Sequence, residues 1–217
     1  MPHLIKVKIC GITNGPDAIW ATNLGADYIG LNFCKESKRK ISSEKASEIV
    51  EGLPPFVKVV GVFMNPSLAD LEKTVKSVKF SFLQFHGEET AQFLEEVKSK
   101  FGLGVWKAFS IKSEEDLNSI PSYLGIADAI LADRPKQEPT METPPLPLDW
   151  NLAAKAKSFG IPLMLAGGLT LENVSNAVAI VKPQGVDVAS GVEKNNTPRK
   201  KDIDKMKIFI QQSKGTL

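Results

Sequence analysis

Leu4-Ile5-Lys6-Val7-Lys8-Ile9-Cys10-Gly11-Ile12-Thr13-Asn14 is a β-rich run that ends in a cysteine, a glycine and residues suited to starting a helix. The run places a thiol at the carboxyl end of a strand, where the chain turns toward a helix. Open and closed α/β proteins build their sites at the carboxyl ends of their strands. Gly11 permits a sharp turn or a close backbone approach. Taken alone, Cys10 has two readings. It is either a small buried hydrophobe, the commoner fate of a free cysteine, or a reactive group at a site.

The same strand-then-helix unit recurs along the chain. Strand-like segments fall at 4–9, 27–33, 57–63, 80–85, 104–109, 127–132, 162–166 and 186–189. Between them lie helix signals. Asn14 caps a helix with Pro16 and Asp17 in its first turn. Ser42 opens a helix to about residue 51, and Asn65-Pro66 reads as a cap and first-turn proline ahead of Leu68, Leu71 and Val75. Ser113 and Asp116 have capping-box spacing. A further helix is expected at 150–159, one capped by Thr170, and a last one at 202–212 with Ile203, Met206 and Ile210 turned inward.

Repeated βα units imply parallel strands joined by right-handed crossovers. Continuous apolar runs such as Val59-Val60-Gly61-Val62-Phe63 suit strands covered on both faces. Eight such units in 217 residues predict an α/β fold, a compact (β/α)8 TIM barrel that forms a single domain over residues 1–217. A doubly wound open sheet is the structural competitor, but no GxGxxG follows the first strand. One segment breaks the rhythm. The stretch 134–148 has no apolar period and holds five of the chain's fourteen prolines, so it is expected as an extended loop on the site face. Lid and plain insertion are both open readings of it.

The composition, 42% hydrophobic and 24% charged, is that of a soluble globular protein. Net charge is +2 with no basic stripe, so no nucleic-acid partner is expected. Arg199-Lys200-Lys201 is too short to make one and reads as a solvated loop. Cys10 and Cys34 form no CxxC, which supports neither a disulfide framework nor a zinc site. With no charged-then-apolar leader and no membrane-length apolar run, a cytoplasmic protein without a membrane partner is expected.

Four groups carry possible chemistry. Gly167 and Gly168 leave the seventh strand, and Ser190 and Gly191 leave the eighth, the loops that often hold phosphate in (β/α)8 barrels. Lys35, Lys38 and Arg39 follow the second strand. Lys35 and Lys38 read as solvated, and spacing alone does not single out Arg39, although a guanidinium can grip a carboxylate in two parallel bonds. His86 ends the fourth strand, where it either caps backbone or works on the site face. Asp133 ends the sixth strand and Asp187 lies within the eighth, and either could simply accept backbone bonds. Cys10 and Asp133 would face each other across a barrel mouth as a proton-transfer pair. A free thiol titrates near ~8.5, so a cation or dipole would have to lower it.

Taken together, KICGIT, GLNFCKESKRKIS, VGVF, LQFHGEE, AGGLTLENV and GVDVASGVE resemble, in order and over nearly the whole chain, the phosphoribosylanthranilate isomerase family of tryptophan biosynthesis. The resemblance implies an Amadori rearrangement of N-(5-phosphoribosyl)anthranilate to an aminodeoxyribulose phosphate. It makes Cys10 the general base and Asp133 the general acid. It gives Arg39 the anthranilate carboxylate and puts Gly167, Gly168, Ser190 and Gly191 in phosphate loops. His86 and Asp187 join the substrate-binding set. It implies a small phosphorylated substrate, no metal or organic cofactor, and a monomer or homodimer. Between Asp133 and the family's Asp149-Trp150 pair, however, the expected glycine-rich element is missing. The loops after strands seven and eight are therefore expected to carry the phosphate. Two alternatives stay open: another phosphosugar isomerase, and a phosphate-binding barrel with impaired catalysis.

Overall fold

Strand β1, Lys6–Cys10, shows how the chain divides its residues. Successive side chains point to opposite faces. Val7 and Ile9 join the apolar layer outside the strand, while Lys8 and Cys10 turn the other way. The computed structural model describes residues 4–135, 148–195 and 197–216. In it, seven further strands repeat the pattern: β2 Tyr28–Asn32, β3 Lys58–Phe63, β4 Phe82–Phe85, β5 Gly104–Ser110, β6 Ala129–Asp133, β7 Leu163–Leu165 and β8 Gly185–Val188. They pair in parallel in chain order and close into a barrel where β8 meets β1.

The covering helices are α1 Gly15–Asn23, α2 Ser43–Glu51, α3 Leu68–Ser77, α4 Ala91–Phe101, α5 Trp150–Lys155, α6 Val174–Val181 and α7 Ile203–Lys214. They bury the outward strand residues in one large apolar layer. A second, smaller cluster plugs the barrel: Val60, Trp106, Ala108, Ala129, Leu131, Met164 and Ala166, with Tyr28 and Phe82 packed against it. The Tyr28 and Trp106 rings meet edge to face at 5.0 Å. This plug forms the floor on which the polar interior residues sit.

The eight expected strands are all present, with ends shifted by one or two residues. Several helix starts differ. Asn65 is no cap. It takes a left-handed φ of 47° and its Oδ1 accepts from the Glu88 amide, while Ser67 caps α3 through Asp70 N. Thr170 is likewise one turn early, because Asn173 stands at the N-cap of α6 and its Oδ1 receives the Thr170 amide. The capping box at Ser113 and Asp116 forms, but it opens a 3-10 run, Glu114–Tyr123, that contains Pro121. Proline removes the amide an α-helix would use there. The 150–159 helix is α only to Lys155 and then tightens into a 3-10 turn, Ala156–Phe159. In α7, Met206 and Ile210 are buried as expected, whereas Ile203 is exposed and Phe209 takes the inward place.

The basic run departs furthest from expectation. Arg199, Lys200 and Lys201 belong to a strand, β10 Thr197–Lys201, paired antiparallel with β9 Glu193–Lys194. Lys200 stays in solvent, but Lys201 is only 1% exposed. The hairpin forms because Lys201 and the Arg199 amide both reach the buried Glu193 carboxylate. Of the proline-rich stretch 134–148, residues 136–147 lie outside the described residues.

Phe209, fully buried on α7, packs the helix that covers β1. Phe209→Ala should lower unfolding free energy by about 3–5 kcal/mol. Urea denaturation measures it, and a loss under about 1 kcal/mol would mean that α7 contributes little to closing the barrel.

Candidate active site

The carboxyl ends of the strands open into a pocket whose lining includes Cys10, Arg39, His86, Asp133 and Asp187. Gly167, Gly168 and Ser190 line it as well. Of the site residues expected from sequence, only Gly191 stands outside this lining. It serves the loop differently, since a β-carbon there would run into the Leu169 carbonyl, so glycine lets the turn after β8 rest directly on the turn after β7.

Cys10 is the last residue of β1, and its register partner on β2 is Gly30. A β-carbon at Gly30 would stand 2.8 Å from the Cys10 Sγ, so the thiol occupies the space that glycine leaves. Lys8, two residues earlier on the same face, is fully buried and donates to Asp187 Oδ2 at 3.1 Å. Burial pulls the Lys8 pKa down, but the Asp187 carboxylate and then the Cys10 thiol outweigh it and hold Lys8 above its ordinary range. Burial in turn pushes the Cys10 thiol up, and the pull of Lys8, with a lesser one from Lys201, does not reverse it. The cations that a low thiol pKa requires are thus present, but the dry setting outweighs them.

Across the mouth, Asp133 ends β6. Its Oδ1 accepts the Arg134 amide at 2.8 Å, and its Oδ2 lies 3.0 Å from His86 Nε2. His86 is fixed in turn by its own amide, which bonds to the Phe63 carbonyl at 2.9 Å. The two residues form one acid–base unit at the ends of β4 and β6.

Arg39 comes from the loop after β2 and crosses to Glu193. Nε donates to Oε1 and Nη2 to Oε2, both at 2.7 Å, a two-pronged grip that fixes the guanidinium plane. Its aliphatic stem lies against Gly11, which has a φ of 69°, and a β-carbon there would collide with Arg39 Cδ. Glu193 itself is 7% exposed. Burial would raise its pKa, but the Arg39 bond, then Lys201, hold the carboxyl below its ordinary 4.5. Lys201 Nζ stands 3.5 Å from Glu193 Oε1 and donates to the Ala189 carbonyl at 2.8 Å. One cluster therefore ties the loop after β2 to the loop after β8.

Sequence reasoning missed Lys8, Gln84, Arg134, Glu193 and Lys201. Lys8 and Gln84 did carry a signal, since each lies two residues before a candidate, Cys10 or His86, on the same strand face. Arg134 lines the pocket beside Gly167 and Gly168, and its Nη1 is 3.4 Å from where a Gly168 β-carbon would be. Cys34 is half-buried away from this pocket and its thiol faces the Val62 carbonyl. Among the described residues, no group of three or more His, Cys, Asp or Glu is placed to hold a metal ion. No described helix is long and apolar enough to cross a membrane.

The family model described as N-(5′-phosphoribosyl)anthranilate (PRA) isomerase matches residues 7–212. The N-(5′-phosphoribosyl)anthranilate isomerase of Geobacter sulfurreducens is 41% identical over 98% of this chain and 100% of its own. That of Paramagnetospirillum magneticum is 39% identical over 97% and 98%. Among solved structures, phosphoribosyl anthranilate isomerase from Thermotoga maritima is similar with a TM-score of 0.87 and 38% identity, covering 97% of this chain and 99% of that one. Another, in complex with reduced 1-(o-carboxyphenylamino)-1-deoxyribulose 5-phosphate, gives 0.85 and 37% over the same shares.

The Glu193 cluster makes a test of the site's foundation. Glu193→Ala leaves two cations facing each other in a half-dry setting and should cost roughly 3–5 kcal/mol, the usual effect of removing one partner of a buried pair. Because the folded-state pKa of Glu193 is depressed, its contribution is present above the ordinary 4.5 and is lost as pH falls through the lowered value. Thermal melts across acidic pH should therefore show a shallower acid limb in Glu193→Ala than in the parent. Parallel limbs would mean that Glu193 is not held ionised by the cluster.

Proposed function

The chain belongs to the N-(5′-phosphoribosyl)anthranilate isomerase family, and from that premise we propose how its pocket performs the rearrangement of N-(5′-phosphoribosyl)anthranilate in tryptophan biosynthesis. The observation that carries the reading is the placement of a thiol, Cys10, and a carboxyl–imidazole pair, Asp133 with His86, on the wall of one pocket. An Amadori rearrangement needs one group to give a proton and another to take one, on the same substrate. The unit that performs it is the whole barrel, residues 1–217 as one domain, working in the cytoplasm on a small phosphorylated substrate.

The steps balance without an outside electron donor or acceptor. Asp133 protonates the ribose ring oxygen, the C1–O bond breaks, and the anilino nitrogen lone pair closes a C1=N iminium. Cys10, after giving its thiol proton to solvent, removes the proton from C2, and that C–H electron pair becomes the C1=C2 bond of an enolamine as the iminium π electrons return to nitrogen. Transfer of the enol proton to C1 gives the ketone, 1-(2-carboxyphenylamino)-1-deoxyribulose 5-phosphate, and Asp133 recovers its proton from solvent. The iminium serves as the electron sink, so no organic cofactor or metal is called for. His86 Nε2, 3.0 Å from Asp133 Oδ2, orients that carboxyl toward the substrate in this scheme.

Arg39 is assigned the anthranilate carboxylate. Its grip on Glu193 uses the Nε–Nη2 edge, and the Nη1–Nη2 edge can take a second carboxylate in the same plane. The phosphate is assigned to the turns at Gly167, Gly168 and Ser190, with the Arg134 guanidinium alongside. Arg134 is the first residue of the glycine-free loop, so that loop brings charge where its backbone brings no glycine. Gly191 supports this arrangement from behind. The dimeric phosphoribosylanthranilate isomerase of Thermotoga maritima has also been obtained as monomers, and this chain is proposed to work as a monomer or homodimer.

Two sets of variants test the scheme. Cys10→Ser and Asp133→Asn should each lower turnover of N-(5′-phosphoribosyl)anthranilate by on the order of 10²–10⁴-fold while leaving product-analogue affinity within a few-fold. Near-parent turnover in either would remove that residue's role, and full activity in both would mean that other groups move the protons. Ser190→Asp should weaken binding of the analogue by at least about a hundredfold by setting a charge against the phosphate. Unchanged affinity would move the phosphate away from the turn after β8.

A further inference from the structure

Lys107 lies on the outward face of β5 with Val105 and Phe109 of the apolar layer, and it is 3% exposed. Its Nζ donates to the Gly87 carbonyl at 2.7 Å and to the Ala108 carbonyl at 3.1 Å, and it lies 3.4 Å from Glu89 Oε2. The ammonium also stands 5.6 Å from the centre of the Phe109 ring and 6.0 Å from that of Tyr123. Glu89 is buried as well. Its Oε1 accepts the Asn65 amide at 2.7 Å, its Oε2 accepts the Gly87 amide at 2.9 Å, and its main-chain carbonyl accepts from the Tyr123 hydroxyl at 2.8 Å. Neither Lys107 nor Glu89 stands in the lining described for the pocket that holds Cys10 and Asp133.

A buried ion pair seldom stabilises a fold more than well-packed apolar side chains of the same size. What this pair supplies is direction, because its bonds converge on the residue that follows His86. The Gly87 N–H goes to Glu89 and the Gly87 carbonyl to Lys107, so both of its polar main-chain groups are held by charged side chains. The turn has no slack either. A β-carbon at Gly87 would run into Asn65 Oδ1, which itself accepts the Glu88 amide. On the other side of His86, its own amide is held by the Phe63 carbonyl. The backbone is thus fixed before and after the histidine whose Nε2 stands 3.0 Å from Asp133 Oδ2. Two apolar side chains could fill the same space and would leave Gly87 free to turn.

We propose that Lys107 and Glu89 are positioning residues for the reaction: they hold the turn at Gly87 and, through it, the His86 imidazole that orients the Asp133 carboxyl. This inference rests on the functional reading above. The pair touches neither the substrate nor the acid. Its effect is geometric, and geometry matters here because displacing a reacting group by about 1 Å can cost on the order of 10²-fold in rate.

The test is a double-mutant cycle read in steady-state turnover of N-(5′-phosphoribosyl)anthranilate, with the parent, Lys107→Met, His86→Ala and the two changes together. Methionine keeps the apolar stem and removes the charge and the donors. Lys107→Met should lower kcat about tenfold with KM within about twofold of the parent's. The double variant should be no slower than His86→Ala alone, since a residue that acts through His86 then has nothing left to position. A further loss of about tenfold in the double variant would mean that Lys107 acts independently of His86, and would overturn the proposal. Parent-like kcat in Lys107→Met would overturn it too. If Lys107→Met gives no cooperative melt, Glu89→Gln, which keeps the shape and removes the charge, takes its place in the cycle with the same expected and overturning results. Unchanged turnover in His86→Ala would overturn the proposal while leaving Cys10 and Asp133 in their roles. Failure of the parent to turn over this substrate would overturn the functional reading, and the proposal with it.

Discussion

The buried ion pair between Lys8 and Asp187 is the contact on which the rest of the structure turns. It joins residues 179 positions apart, across the seam where β8 closes onto β1. A charged amine fully out of water is tolerable only with a partner of opposite charge and good geometry. The barrel therefore has to close for Lys8 to be satisfied, and Lys8 has to be satisfied for the barrel to remain closed. The same pair places positive charge beside the Cys10 thiol. Fold closure and site electrostatics thus share one contact.

A second constraint acts at the rim. Arg39, Glu193 and Lys201 come from the loop after β2, from β9 and from β10, and none is placed by a strand of the barrel. Rim loops usually vary in conformation because little holds them. Here a carboxylate shared by two cations, with a bond onward to the Ala189 carbonyl, locks the β2 loop to the β8 turn. The guanidinium plane is settled by protein groups alone, so a carboxylate arriving at its other edge meets an oriented partner. Little ordering then remains to be done on binding.

The barrel could be read from sequence because its signal is local. Runs such as Val59-Val60-Gly61-Val62-Phe63 and the caps at Asn14 and Ser42 decide their own segments, and the structure places strands and helices there. Thr170 and Asn65 misled for a reason equally local, since each is a good cap by type but sits a few residues before a better-placed one, Asn173 or Ser67. The basic run 199–201 misled for a non-local reason. Nothing near Lys201 reveals that it will be buried, because its partner is Glu193 across a hairpin, which Arg39 grips from the far side of the sequence. Cys10, Asp133 and His86 could be listed from their strand ends. That His86 meets Asp133 and that Gln84 and Asp187 share a pocket are facts of barrel geometry, available only once the ring is closed.

The setting of Cys10 has a consequence for the protein's durability. Only the thiolate reacts readily with peroxides, electrophiles and disulfides. Burial pushes this thiol up, which disfavours the reactive thiolate, and the thiol fills the space that Gly30 leaves. A cysteine held at the mouth of an open pocket would otherwise be steadily lost to sulfenic and sulfinic acids. The dryness that makes Cys10 a reluctant base at rest thus also slows its oxidative ageing.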